Sequence, residues 1–386
     1  MRTRLATLAA ATAATLALVA GCGDPVAEDA DADPTESPSA SAESSETASP
    51  TPTEDPSETA PPTDLTTTLS TKQLSQGAPP AVPYLAADNP AKPTDRWSLV
   101  RPAGESLGLR VTGPFGFATM GNGLVLLVGD GDGAAASVVD GTGGEVTREE
   151  VRGYRLAVTS DRSIVAWLGS EGQTTVVEGG GARTFDLPEV EGGAELAAIN
   201  GVGTCQEAES EINGCTAFVN KDEPRETYLT SSHGITDLAG TMLSVSDASA
   251  DGPLVGLVSV TDEGSCSGIY TSRGKPKWQT CDHTLTTFSP DASRVLGTDA
   301  YLDGFGQRTV AFIDAEDGTV QHEFTSKGQG PTVLQTAWED ADHVLAVVYE
   351  KGRWSIVRLG VDGSAELAVG PLVGGDLDRP FVLEQD

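Results

Sequence analysis

Basic residues are scarce: 24 Lys and Arg stand against 57 Asp and Glu, a formal charge of −33 over 386 residues. No Lys/Arg stripe or cluster appears. Nucleic acids and anionic headgroups are held through such clusters, so neither is an expected partner. Histidine is rarer still: His233, His283, His322 and His343 are scattered, and no CxxC pair accompanies them. Ligand-like spacing is missing, so no metal and no other cofactor is expected. No G-x-S-x-G elbow is present, and helical periodicity is nearly absent beyond the first twenty residues. An α/β hydrolase and a two-lobed solute-binding protein both need helices this chain lacks. No residue stands out as catalytic.

The chain opens with Arg2 and Arg4 ahead of an apolar run from Leu5 to Ala20. About sixteen residues suit the core of an export signal and fall short of the roughly twenty that span a bilayer. The run ends "LALVAGCGD", with Leu18, Val19, Ala20 and Gly21 before Cys22. This segment resembles the lipobox of bacterial lipoproteins. The resemblance implies that residues 1–21 are a removed signal peptide and that Cys22 carries diacylglycerol. Two acyl chains give stable anchoring, at about 0.8 kcal/mol per buried methylene. The implied location is the extracytoplasmic side of the cell membrane, held there by the anchor alone.

From Gly23 to about Pro80 the chain is mostly Ser, Thr, Pro, Ala, Asp and Glu, with no aromatic residue and Lys72 as its one basic residue. Too little apolar surface is available to offset the entropy of ordering. Residues 22–79 therefore read as a disordered, self-repelling tether and 80–386 as the folded domain. The spacer reaches at most roughly 200 Å stretched and averages nearer 40 Å as a coil.

Four cysteines follow: Cys205, Cys215, Cys266 and Cys281. An even count in an exported chain reads as disulfides, with three possible pairings. Cys266 and Cys281 are equidistant from Arg273-Gly274 within "IYTSRGKPKWQT", which reads as two strands around a turn, so they face each other across a hairpin. Cys205 then closes on Cys215 around "CQEAESEINGC".

Short apolar runs dominate the domain, "GLVLLV", "SIVAWLG", "PLVGLVSV", "RTVAFID" and "HVLAVVYE" among them, bounded mostly by Gly, Asp, Asn or Ser. These are strand and turn signals. First turns recur near Asn122, Asp161, Asn200, Asp247, Asp291 and Asp340, a period of about 39 to 49 residues. Four strands per forty-odd residues is the period of a propeller blade. "FSPDASRVL" and "IDAEDGTV" resemble segments of TolB-like, WD40-like and quinoprotein-like propellers. The fold class is thus all-β, a β-propeller of six or seven four-stranded blades. "PAVPYLAADNPAKPTDRWSLVRPAG" supplies strand material for the seventh, and the terminal "RPFVLEQD" is expected to close the ring. Trp167, Trp278, Trp338 and Trp354 read as packing between blades.

Several local patterns stop short of chemistry. Ser232-His233 reads as a turn, and Asp130 and Asp132 lack the later glutamate of a calcium loop. "IDAEDGTVQHEF" resembles the quinoprotein blade motif but carries His322 and Glu323 where that family has tryptophan. Loops joining second to third strands share a rim with the blade links; "GTCQEAESEINGC", "TDEGSCSG" and "DAYLDGFGQR" are assigned to them. Recognition tends to reside on such loops. Glu207, Glu209, Tyr301, Phe305 and Arg308 are the candidate interaction face, with Tyr301 and Phe305 as anchors. The function read from these features is non-catalytic: a scaffold or sensor for another envelope protein or a glycan. The alternative is a quinoprotein-like, cofactor-binding enzyme.

Overall fold

Strands with both faces apolar need a partner on each side, and the repeat supplies one. In the run Gly123–Asp130, Leu124, Leu126 and Val128 pack toward Leu85 and Leu99 of the preceding unit. The alternate residues Val125 and Leu127 pack toward Val165 and Trp167 of the following one. Side chains alternate across a strand, so an unbroken apolar run fills two seams at once. The same division splits Val344, Ala346 and Val348 from Leu345 and Val347.

The structure is a computed structural model. It describes residues 65–386 apart from 92, 94–95, 131–132, 180–182, 202–204, 206–213, 223–224, 239–241, 251, 263, 273, 302–303 and 386. Seven antiparallel sheets result, each of four strands with one strand added to the sixth. Blade 1 combines Phe381–Leu383 with Tyr84–Ala87, Trp97–Val100 and Ser106–Leu109. Blades 2 to 7 are consecutive meanders whose first strands are Pro114–Met120, Ala157–Val158, Gly193–Asn200, Ser244–Ala248, His283–Phe288 and Thr332–Trp338. Seven apolar clusters correspond to the seven seams between neighbours. The fold is a seven-bladed β-propeller.

First strands line the central channel, and fourth strands face outward; Glu145–Val151 of blade 2 is exposed along most of its length. Trp167, Trp338 and Trp354 are buried in the seams. Trp278 is half-buried, and its indole N–H donates to the Ala315 carbonyl of the next blade at 3.1 Å. Gly318, at φ +80°, lies under that indole, where a Cβ would come within 2.9 Å of the ring. Both disulfides form as Cys205–Cys215 and Cys266–Cys281. The second spans the hairpin Gly264–Tyr270 and Pro276–Thr280.

Five of the six inner strands that open a meander are bulged against their second strand. A bulge leaves backbone groups without a ladder partner, and buried backbone groups must find one. Side chains from neighbouring blades supply it. Asn220 of blade 4 accepts from Val245 N at 3.0 Å and donates to Val245 O at 2.8 Å in blade 5. Asp247 of blade 5 accepts from Phe288 N of blade 6 at 2.8 Å. Gln335 of blade 7 accepts from Leu383 N at 2.9 Å and donates to its carbonyl at 3.0 Å. Glu384, just past the closing strand, accepts from Thr119 N of blade 2 at 2.6 Å and pairs with Arg162 of blade 3.

The last part of the stretch read as tether is part of the propeller. Thr66–Thr68 runs parallel to Val320–Thr325 as a fifth strand on blade 6. Leu69 is buried in the seam between blades 6 and 7. Thr71 N donates to the buried Glu350 carboxylate at 3.0 Å, and Arg358 donates to the carbonyls of Ala78 and Pro79. Backbone pairing, Leu69 and Leu74, and hydrogen bonds to Glu350 and from Arg358 hold what composition alone marks as disordered. Leu69→Ala is expected to lower stability by about 2–4 kcal/mol, read as a fall in the urea midpoint at unchanged slope.

Candidate functional site

Strand order gives the ring two unlike rims. Turns between first and second and between third and fourth strands form one, the turn rim; second-to-third loops and blade links form the other, the link rim.

Tyr301, Phe305 and Arg308 lie in the loop between Arg294–Asp299 and Thr309–Asp314 of blade 6, on the link rim. Tyr301 is 62% exposed and Phe305 39%. Phe305 meets Tyr349 edge-on, ring centroids 6.4 Å apart, and the Arg379 guanidinium lies 5.8 Å above its ring. Arg308 acts as a brace: its backbone N–H donates to Asp299 and its guanidinium to the Gly328 carbonyl, each at 2.6 Å. Val373 and Leu377, 70% and 80% exposed, stand on the same side near the link from blade 7 to blade 1. The sequence signal for them is a valine and a leucine stranded in "LVGGDLDRP".

The loop carrying Glu207 and Glu209 belongs elsewhere. It joins Gly193–Asn200 to Thr216–Lys221, the first and second strands of blade 4, and so springs from the turn rim. Blade 4 replaces the short Asp turn of its neighbours with an insertion closed by Cys205–Cys215, which hides its rank in the repeat. Glu207 and Glu209 themselves lie outside the described residues. "TDEGSCSG" is a tight turn, with Cys266 on the strand that follows.

On the turn rim a cavity of about 430 Å³ opens into the channel. Its mouth is built by repeated turns of one design. In 159–163 and 289–293, Asp161 and Asp291 each accept from the hydroxyl two residues before and from the serine two residues after. The residue after each aspartate, Arg162 or Ala292, adopts the left-handed region at φ 55° and 56°. Burial alone would push Asp291 up, but hydrogen bonds from Ser289 and Ser293 and the charge of Arg294 hold it below its ordinary value. Deeper in, burial pushes the Asp247 carboxyl up, against the opposing effects of Phe288 N–H, the Arg155 charge and Ala248 N–H. Gln385 borders this cavity and a second one of about 480 Å³ reached from the link rim. Its amide oxygen accepts from Leu156 N at 2.9 Å.

The histidines are dispersed. His283 reaches Glu323 at 2.9 Å, and His322 meets Thr67 Oγ1 at 2.9 Å beneath Gly363. His343 sits in an exposed turn with Asp340, and His233 in the turn after Ser231. No group of three potential metal donors occurs among the described residues.

No family model matches the chain, and no curated protein matches it. Solved structures resemble it in fold. The β-propeller domain of Cps50 (Swd1) from Myceliophteria thermophila is 12% identical, with a TM-score of 0.46 over 68% of this chain and 87% of that one. A structure of YCF48 bound to D1 peptide is 16% identical, with a TM-score of 0.43 over 77% and 88%. A eukaryotic initiation factor is 12% identical, with a TM-score of 0.39 over 76% and 89%. The class of this protein rests on its own seven-sheet topology.

The turn carboxylates make a signed prediction. Asp291 and Asp340 are held below 3.8, so their stabilisation is complete above that pH and is lost as pH falls through their lowered values. Asp247 has the opposite sign: its ionisation costs stability as pH rises from 3.8 through its raised value. Asp291→Asn should cost about 1 kcal/mol at neutral pH. The difference from wild type should shrink below pH 3.8, as read by urea unfolding across the acid range.

Proposed function

We propose that this chain is an exported, lipid-anchored envelope protein whose propeller is a non-catalytic docking scaffold for another envelope protein. The observation that carries the docking role is the link-rim sector of blades 6, 7 and 1. Tyr301, Phe305, Val373 and Leu377 are exposed there beside Arg308 and Arg379. Aromatic and arginine side chains on a rigid surface are the usual anchors of protein interfaces. Aliphatic Val373 and Leu377 offer a glycan little to hydrogen-bond, which favours a protein. A chain of net charge −33 that places arginines on this sector favours a partner with acidic groups around an apolar centre.

The anchor reading draws support from the residues around Cys22 and from two disulfides, which persist in oxidising compartments. Diacylglycerol on the Cys22 thiol is its expected modification.

Two measurements test the proposal. Crosslinking in intact cells should capture a defined partner whose yield falls at least several-fold in the Tyr301→Ala/Phe305→Ala double variant. An unchanged partner profile would remove this sector as the interface. Separately, Cys22→Ser should release the protein from the membrane fraction, and intact mass of the wild type should show acyl groups on Cys22. A membrane-bound Cys22→Ser protein would sink the anchor.

A further inference from the structure

The turn-rim cavity has a chemical bias that the docking sector does not explain. Its volume of about 430 Å³ lies toward the small end of the range for small-molecule sites, roughly 300–1,000 Å³. Among the described residues its carboxylates keep open acceptor positions, beside hydroxyls and amides that both donate and accept. Asp247 receives one backbone N–H on each oxygen, from Ala248 at 2.7 Å and Phe288 at 2.8 Å. An ionised carboxylate has about four acceptor positions, so half remain open. Asn200 donates its amide N–H to the Ser249 carbonyl at 3.2 Å, and its side-chain carbonyl oxygen accepts no hydrogen bond among the described residues. The hydroxyls of Ser160 and Thr216, both cavity-lining residues, make no side-chain hydrogen bond among the described residues.

Charge points the same way. Two carboxylates, Asp247 and Asp291, line the cavity against one cation, Arg162. That cation is already paired with the buried Glu384. Arg155 faces Asp247 from the link-rim side of the channel and attracts it without forming an ion pair. The carboxylate thus sits half-buried in the cavity wall with its charge only partly balanced, an arrangement that gains from a positive occupant. Phe288 and Trp338 supply an apolar wall beside it.

We infer that this cavity is a binding site for a small organic cation. The occupant is an ammonium group on a short aliphatic stem, with Asp247 as counter-ion. The Asn200 carbonyl and the Ser160 and Thr216 hydroxyls accept its N–H bonds, and Phe288 and Trp338 pack on the stem. An ammonium has three donors and no acceptor, which suits two carboxylates with hydroxyl and amide oxygens beside them. A carboxylate or phosphate ligand would meet Asp247 and Asp291 as like charges. The site is independent of the link-rim interface, so either proposal can fail alone.

Putrescine is the probe, added to the full-length, disulfide-bonded chain at physiological ionic strength. Calorimetry gives stoichiometry, and the emission of Trp338 reports entry. The expected result is saturable binding of one putrescine per chain, with butyrate and glucose failing to bind at the same concentrations. Asp247→Asn should weaken putrescine on the order of tenfold or more, the scale for removing one member of a desolvated charge pair. Ser160→Trp, which narrows the exposed mouth without touching the seams, should weaken it comparably. It decides the matter if Asp247→Asn fails to fold by circular dichroism. Absence of saturable binding would overturn the inference. So would binding that both variants leave unchanged, which would assign it to general attraction by a surface of net charge −33.

Discussion

Until Phe381–Leu383 pairs with Tyr84–Ala87, blade 1 lacks its innermost strand and the ring has two open ends. Each end would present unpaired backbone and one unburied sheet face, the two things a propeller exists to remove. The closure is held on both sides. Gln335 clips the Leu383 backbone from blade 7, while Glu384 reaches Thr119 in blade 2 and Arg162 in blade 3. The short final stretch therefore touches four blades. Gln335 lies 48 residues away and Thr119 265, with the Tyr84 strand farther still, yet loop-closure entropy grows only as the logarithm of length. The seam that closure completes includes Trp354, Ile356, Phe381 and Leu383.

Closure also explains how so acidic a chain builds a core with few aromatics. Seven seams divide the apolar load, and each is filled mainly by Val, Leu, Ile and Ala from strands buried on both faces. Charge is concentrated on fourth strands and turns, as in Glu145–Val151, with Asp247, Glu178 and Arg358 among the exceptions on first and third strands. In the turns it serves a local purpose. Asp140 and Asp362 are held low first by side-chain hydrogen bonds from Thr142 and Ser364, then by backbone N–H groups. Aspartate in such a turn mimics a backbone acceptor and fixes the chain reversal.

That division of labour decides what was legible in the sequence. The repeat was readable because Asp161 and Asp291 perform the same turn in blades 3 and 6 and Asp340 accepts backbone N–H groups in a shorter one in blade 7, and because apolar runs fill two seams. The cysteine pairing was readable because a hairpin puts Cys266 opposite Cys281. Residues 65–79 were not, since their order comes from Glu350, Leu367 and Arg358, partners invisible to local composition. The loop after Asn200 was misplaced for the same kind of reason: an insertion replaced the punctuation by which a turn is ranked. Of the candidate face, Tyr301 and Phe305 share one link-rim loop, whereas Asp247 and Gln385 line one cavity only in the closed ring.

The rims differ in chemistry because strand order gives them different parts. Turn-rim reversals are short and rich in Asp and Ser, so their side chains converge on the channel as acceptors. On the link rim, the blade 7 to blade 1 link carries Leu377 and Arg379, and the long second-to-third loop of blade 6 carries Phe305, so these side chains stand away from the ring. Gln385 borders the cavities at both ends of the channel and is tied to the Leu156 backbone through its amide. It follows directly on Glu384, so the residue that separates the two faces is continuous with the strand that closes the ring. A ligand of the turn-rim cavity would lie beside the segment whose pairing holds the propeller shut, and by linkage would stabilise the closed ring.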